Sequence, residues 1–365
     1  MTLEFGISLS LQANQAAGET SAQVYGEALE LAAEAGRLGI DSIWVSEHHG
    51  EADGYCPSPI VAGAALAIAA PTCRIGQAIA IAPLYGHPMR LAEDLAVLDN
   101  ISGGRAEIGL GQGYRPEEFR AIGADYRRRT RAFEEALEVL GRAWTGERFD
   151  YDGEIYQSQG ARLCPAPLRP GAPPLWIGAA APVSRARAVR HGGGLVISPL
   201  VETAHAARQF HDFDAEAAHQ GRPTLPHAIL REVFFGSSAA DALARHAATI
   251  DLVYREQYAP ERTGLTWRDP RTGERRAMTR DDPDYLSAAF VAGRWLVGQP
   301  ETMVAEIVAG QAAMKLDRLV WQPKLPGTPL KDAVENLEIM ARDVIAPVRS
   351  RLTSRSEPAK GETTT

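Results

Sequence analysis

The sequence predicts an α/β fold of one kind: a single closed (β/α)8 barrel over residues 1–350, with insertions. Three observations lead there. Short apolar runs of β-type residues alternate with longer amphipathic runs, which is the pattern of βα units on a parallel sheet. Eight such runs fit in one chain of 365 residues, a length that one barrel core accommodates. Polar and titratable residues gather where those runs end, as in a barrel whose chemistry sits at the carboxyl ends of its strands.

Taken in order, strands are expected over residues 3–10, 40–46, 74–81, 105–110, 175–178, 194–198, 228–236 and 318–322. Helices are expected over 22–38, 57–70, 88–100, 129–144, 184–191, 203–220, 239–257, 300–314 and 330–349. Gly39 reads as the C-cap of the first helix. Three insertions interrupt the alternation. Residues 146–173 hold FDYDGEIY, a hairpin expected to turn at Asp152-Gly153. Residues 111–128 extend the loop after the fourth strand. Residues 259–285 are polar, charged and punctuated by Gly and Pro; their length suits an active-site lid or a variable surface loop. The tail 351–365 lacks apolar periodicity and is expected to be disordered.

Composition narrows the function. A net charge of -8 with no basic stripe argues against nucleic acid. The longest apolar stretch, residues 60–70, ends at Pro71 and is too short to span a bilayer, so no membrane role is expected. No signal peptide is visible, and three scattered cysteines lack zinc-site spacing; a cytoplasmic protein with reduced thiols and no metal site is expected.

The segment Trp44-Val45-Ser46-Glu47-His48-His49 is an apolar run that stops in a carboxylate and two imidazoles. Alternation along a strand sends His48 and His49 to opposite faces, so one can enter a pocket while the other packs. A satisfied strand cap is the plainer alternative. Tyr85 and His87 follow the third strand, Gln112 and Tyr114 the fourth, and Ser198 the sixth. Gly109, Gly111 and Gly113 alternate at a strand end, admitting either a planar ligand or a barrel-corner bulge. Gly178-Ala179-Ala180-Ala181 leads to Ser184 at a helix start, which is either a phosphate-type anion site or an ordinary N-cap.

On these residues the chain resembles the bacterial luciferase-like flavin-dependent monooxygenases. The likeness spans about residues 3–348 and rests on Glu47-His48-His49, on the run 86–94 (GHPMRLAED) leading to 98–105 (LDNISGGR), and on Tyr114 with Phe119-Arg120 and Gly123. The resemblance implies reduced FMN as co-substrate, an NAD(P)H flavin reductase as its supplier, and O2 activated as a C4a-hydroperoxyflavin to oxidise a small organic substrate. A homodimer is also expected. It gives His48 a place beside the flavin, where an imidazole can move protons, with Glu47 and His49 in support. It places Ala78 and Ile79 at a non-prolyl cis peptide under the ring, makes Gly178 to Ala181 with Ser184 the phosphate loop, and makes residues 259–285 the mobile lid. Gly111, Gln112, Tyr114 and Ser198 complete the expected cofactor contacts.

The chain also departs from that pattern. Gln112 stands where many relatives carry an arginine, Gly111 where the luciferase has a cysteine, and Ala180 and Ala181 where its loop is polar. A neutral amide recognises an anion more weakly than a guanidinium does, with Arg115 as a compensating cation nearby. Light emission is not expected. Two other readings stand beside the first: an F420-dependent hydride-transfer enzyme on the same barrel, and a non-catalytic flavin-binding protein. Tyr55, Tyr85, Tyr114 and Trp295 are candidate pocket walls or core residues.

Overall fold

A computed structural model describes residues 3–169, 171–179, 181–269 and 272–356. Its strands are β1 (Glu4–Leu9), β2 (Ser42–Val45), β3 (Arg74–Gln77), β4 (Ala80–Ile81), β5 (Ile108–Gly111), β6 (Phe149–Asp152), β7 (Gln157–Ala161), β8 (Leu175–Gly178), β9 (Gly194–Ile197), β10 (His227–Arg231), β11 (Val233–Phe235), β12 (Thr266–Arg268), β13 (Arg275–Ala277), β14 (Leu296–Gly298) and β15 (Arg318–Trp321). Nine of these form one parallel sheet in the order β3-β2-β1-β15-β10-β9-β8-β5-β4. The sheet's two edges, β3 and β4, are halves of the single strand expected at 74–81, interrupted at Ala78–Ile79. The lower half pairs with β2 and the upper half with β5, while Glu107 N–H bonds the Ile75 carbonyl at 2.8 Å. Eight strand positions therefore close the (β/α)8 barrel.

The alternation sorts the side chains. Phe5, Ile7 and Leu9 on β1, with Ile43 and Val45 on β2, are buried against the helices. Trp44, Trp176, Ala228 and Val320 meet inside the barrel, with Ala78, Val196 and Leu230 packed on them. Below them lies a floor of charge. Arg74 Nη2 is 2.5 Å from Glu4 and its Nε 2.8 Å from Glu107, while Arg318 pairs with both glutamates and stacks over the two tryptophan rings. The lower end of the lumen is thus filled by these side chains.

The helices follow the expected order with shifted ends. The first, Ser21–Arg37, is set by a Thr20/Gln23 capping box, and Gly39 follows it at φ +75°. His87, expected at the mouth, instead caps helix Pro88–Ser102: its Nδ1 accepts from Met89 N–H at 3.2 Å and its Nε2 reaches Gln157 O. The hairpin β6/β7 forms, but residues 153–156 make the turn, because the buried Glu135 carboxylate accepts three consecutive N–H groups, from Glu154, Ile155 and Tyr156.

Four expectations need correction. The strand expected over 228–236 divides: β10 stays in the barrel, whereas β11 leaves it to pair with β14. The helix expected over 239–257 breaks into Ala239–Arg245, Ala247–Asp251 and a π-helical turn, Leu252–Gln257. Residues 259–285 are not a bare loop: helix Pro260–Thr263 and the hairpin β12/β13 lie within them, and Trp267, Met278 and Tyr285 are buried in a cluster with Phe234, Tyr254 and Trp295. At the chain's end, helix Ala346–Ser356 carries regular structure past 351, so residues 351–356 are not the disordered segment expected; residues 357–365 lie outside the described part.

Candidate functional site

The end of β2 carries the chemistry. His48 is buried, and its Nδ1–H donates to Glu118 Oε1 at 2.6 Å, while the same oxygen accepts His49 N–H at 3.1 Å. Its Nε2 has one neighbour, the Tyr114 hydroxyl at 3.4 Å. Three tyrosines stand edge-on to the imidazole, with centroids at 4.7 Å for Tyr55, 5.7 Å for Tyr114 and 6.1 Å for Tyr258. Burial pushes the His48 pKa down, and Glu118 only partly restores it, so the ring is neutral at pH 7 with Nε2 as its basic atom. Glu118 is itself held below the usual carboxylate range. Burial opposes its charge, but His48, the His49 N–H and Arg115 outweigh burial.

His49 plays a different part. Its Nε2–H donates to Glu47 Oε1 at 2.6 Å, and Glu47 Oε2 accepts Ile81 N–H at 2.8 Å and the Tyr85 hydroxyl at 3.1 Å. Glu47 thus ties the end of β2 to β4. Burial works against charge on His49, yet Glu47 and then Glu118 raise its pKa. The adjacent imidazoles shift in opposite directions: burial outweighs Glu118 at His48, whereas Glu47 and Glu118 outweigh burial at His49.

The glycine series serves the barrel before any ligand. A Cβ on Gly109 would lie 1.6 Å from the Gln77 carbonyl oxygen, and one on Gly111 or Gly178 would lie 2.1 or 2.7 Å from Ile79 Cδ1. The peptide Ala78–Ile79 is cis, and the Ile79 side chain occupies the space these glycines leave. Close approach of the Gln77 carbonyl and of Ile79 therefore accounts for Gly109, Gly111 and Gly178. Ser184 is not an N-cap: helix Pro182–Arg190 starts after Ala181, and Ser184 N–H already bonds the Ala181 carbonyl at 3.0 Å. Ala179 is buried, Ala181 and Ser198 are exposed, and Ala180 lies outside the described residues.

Two residues escaped the sequence reading. Glu118 lies 70 positions from His48; its only signal was an acid in the first turn of a short helix opened by Pro116. Tyr258 lies just before the expected lid and reaches the site because the π-helical turn delivers it there; its hydroxyl meets that of Tyr55 at 2.6 Å. Arg115 does not stand in for an arginine at Gln112. It is buried, 2.5 Å from Glu51, bonded to the Gln257 carbonyl, and packed over Tyr114 and Tyr258. With Gln12, Asp53 and Gln257 hydrogen-bonded beside it, Arg115 fastens the root of the lid segment to the loop after β2.

A flat heterocycle with polar edges suits this mouth. Gln112 Oε1, Glu118 Oε2, Glu232 Oε2 and Gln322 Oε1 are buried there, or just above the lumen, without partners. Among the described residues, no helix is long and apolar enough to cross a membrane.

A buried histidine–glutamate pair at the end of the second strand of a parallel barrel defines the class, and sequence comparison supplies the family. Residues 3–315 match the luciferase-like monooxygenase family, and the chain belongs to it. It is 32% identical over 184 residues to a flavin-dependent trigonelline monooxygenase, oxygenase component, of Acinetobacter baylyi, covering 50% of this chain and 51% of that one. The alignment thus spans about half the length of such curated relatives. An F420-dependent glucose-6-phosphate dehydrogenase of Kineococcus radiotolerans aligns over 338 residues at 25% identity, covering 89% of this chain and 93% of that one. Among solved structures, the monooxygenase RslO1 of Streptomyces bottropensis superposes with a TM-score of 0.78 at 23% identity, over 94% of this chain and 99% of that one. At that identity the likeness concerns the fold.

Proposed function

We propose that this chain is an oxidoreductase, the oxygenase component of a two-component monooxygenase. It takes reduced FMN from a separate NAD(P)H flavin reductase and uses O2 to oxidise a small organic substrate. The observation that carries the reading is the neutral, buried His48, whose Nδ1 is committed to Glu118 and whose Nε2 is left for a proton. Reduced flavin would supply the two electrons that activate O2. His48 Nε2 accepts or returns a proton at the mouth, Glu118 fixes the ring's tautomer and stabilises its charged form, and Glu47 with His49 hold the strand end in place. Ile79 and Ala78 would carry the ring, and Gln112, Ala179, Ala181 and Ser184 would meet its side chain and phosphate. The lid segment, residues 259–285, would cover the mouth and exclude water, which protects a reactive oxygen species from wasteful release.

A second reading, hydride transfer with F420, is favoured by the nearly full-length relative that bears that cofactor's name. One experiment separates the two. The purified chain is mixed anaerobically with reduced FMN or reduced F420, air is admitted, and near-ultraviolet absorbance is followed. A transient that decays to oxidised FMN supports the oxygenase. Tight F420 binding without any transient overturns it.

We also infer a homodimer. Val61 and Ile68 are each 70% exposed on helix Pro59–Ala69, and Val97, Ile101, Leu29 and Tyr25 extend that apolar surface over the two flanking helices. A second copy of this face covers it. Ile68→Glu is expected to give a monomer by light scattering; a wild-type chain that is already monomeric ends the inference.

A further inference from the structure

Strand alternation carries the lumen upward from Ala228 and Leu230 to Glu232, and from Val320 to Gln322. Glu232 is almost wholly buried at the end of β10, and its backbone carbonyl is fixed by Leu296 N–H at 2.8 Å. Its Oε1 accepts the Tyr254 hydroxyl at 2.5 Å and Gln322 Nε2 at 3.2 Å. Tyr254 comes from the π-helical turn that also brings Tyr258 to His48, and the rings of Tyr254 and Tyr258 are 6.0 Å apart. The side chain thus sits under the lid segment, within one aromatic ring of the histidine site.

Among the described residues, no cation pairs with this carboxyl. The groups that face it are Tyr254 from residues 252–257 and Gln322 beyond β15, both uncharged. The neighbouring Arg231 turns the other way, to Thr203 Oγ1 and the Leu230 carbonyl. A buried carboxyl with only neutral donors keeps its proton, and burial pushes the Glu232 pKa up to about 7. Glu232 Oε2 and Gln322 Oε1 remain without partners. Whichever way the Gln322 amide lies, the pair presents one donor and one acceptor side by side.

We propose that Glu232 and Gln322 form a paired donor–acceptor edge that binds the cis-amide edge of a ligand, an N–H beside a C=O. Two sources offer that chemistry: a lactam, pyridone or carboxamide substrate, and the pyrimidine-type edge of a flavin ring. An anionic carboxylate is disfavoured, since it brings charge to a site without a cation. The flavin arm rests on the reading above; the substrate arm and the state of the carboxyl do not.

The test uses the full chain, wild type, Glu232→Gln, Glu232→Ala and Gln322→Met, each first shown to be folded by circular dichroism. Infrared difference spectra between about pH 6 and pH 9 should show a protonated carboxylic acid C=O band that titrates in wild type and is missing from Glu232→Gln. Binding is measured with 2-pyridone and with FMN. Wild type should weaken about tenfold as pH rises through this range, Glu232→Gln should bind evenly across it, and Glu232→Ala and Gln322→Met should be weak throughout. A change confined to 2-pyridone assigns the edge to substrate, and one in FMN assigns it to the flavin. FMN binding by no variant, with 2-pyridone behaving as stated, overturns the flavin reading and leaves this one standing. If all four proteins bind both probes alike, or if the acid band is absent from wild type, the proposal falls.

Discussion

The barrel carries charge at both ends, and the two ends are built in contrasting ways. At the floor, Glu4, Arg74, Glu107 and Arg318 pair with one another beneath Trp44 and Trp176, whose indoles meet edge to face at 5.8 Å, and Trp176 Nε1–H adds a 2.7 Å bond to Glu107. At the mouth, Glu47, Glu118 and Glu232 meet two imidazoles and several hydroxyls, and buried oxygens of Glu118, Glu232, Gln112 and Gln322 are left over. Two acids and two guanidiniums close on each other and need nothing further. The mouth has polar capacity that its protein neighbours leave unused. The difference separates the part of the lumen that holds the sheet from the part that does chemistry.

That contrast can be broken deliberately. The largest effect expected at the mouth is on turnover. His48→Ala should lower the rate of flavin reoxidation in air about a hundredfold to ten-thousandfold, with a smaller loss of folding stability than any floor variant. Equal losses in a stopped-flow assay and in urea unfolding would place His48 with the floor instead. At the floor the balance reverses. Arg318→Ala leaves the buried Glu107 and the half-buried Glu4 to share Arg74 alone and should cost about 3 to 5 kcal/mol in urea unfolding, whereas its effect on any chemistry should follow from instability alone.

A third variant probes the seam between the ends. Gly111→Ala drives a methyl into Ile79 Cδ1 and should cost about 1 to 3 kcal/mol. Adding Ile79→Ala should recover part of that loss; a double variant no better than the sum of the two singles would show that Ile79 is not what Gly111 accommodates.

The smallest effect expected is in the pH dependence of stability, where the neighbouring histidines act oppositely. The folded pKa of His48 lies below the unfolded value of about 6.5, so its contribution is present above that pH and is lost as pH falls toward the folded value. The folded pKa of His49 lies above it, so its contribution is full below about pH 6.5 and is lost as pH rises through the folded value. His48→Gln should flatten the acid side of a stability–pH curve and His49→Gln the neutral side. Identical changes from both would refute the opposed tuning.

Much of the fold was legible because it follows from local pattern. Eight strand positions, the order of helices, the hairpin at 149–161 and Gly39 after the first helix all depend on residues close together in the chain. The misreadings occur where a local preference met a distant partner. His87 looked like a site residue, but a helix N-terminus and Gln157 claim both ring nitrogens. Gly111 looked like room for a ligand, and Ile79, brought across by the closing strand, fills it. Ser184 looked like a cap, but Pro182 starts the helix two residues earlier.

The sequence by itself determined the barrel, the family likeness and the placement of a carboxylate and two histidines at the end of the second strand, because periodicity and strand ends are written in adjacent residues. Only the tertiary structure decided that the two imidazoles shift in opposite directions. At His48 the downward shift comes from burial, to which Tyr258, 210 residues away, contributes, and from Arg115, while Glu118, 70 residues away, fixes the tautomer and opposes that shift. Proton affinity depends on what surrounds a group in space, and chain neighbours supply only a small part of that surrounding.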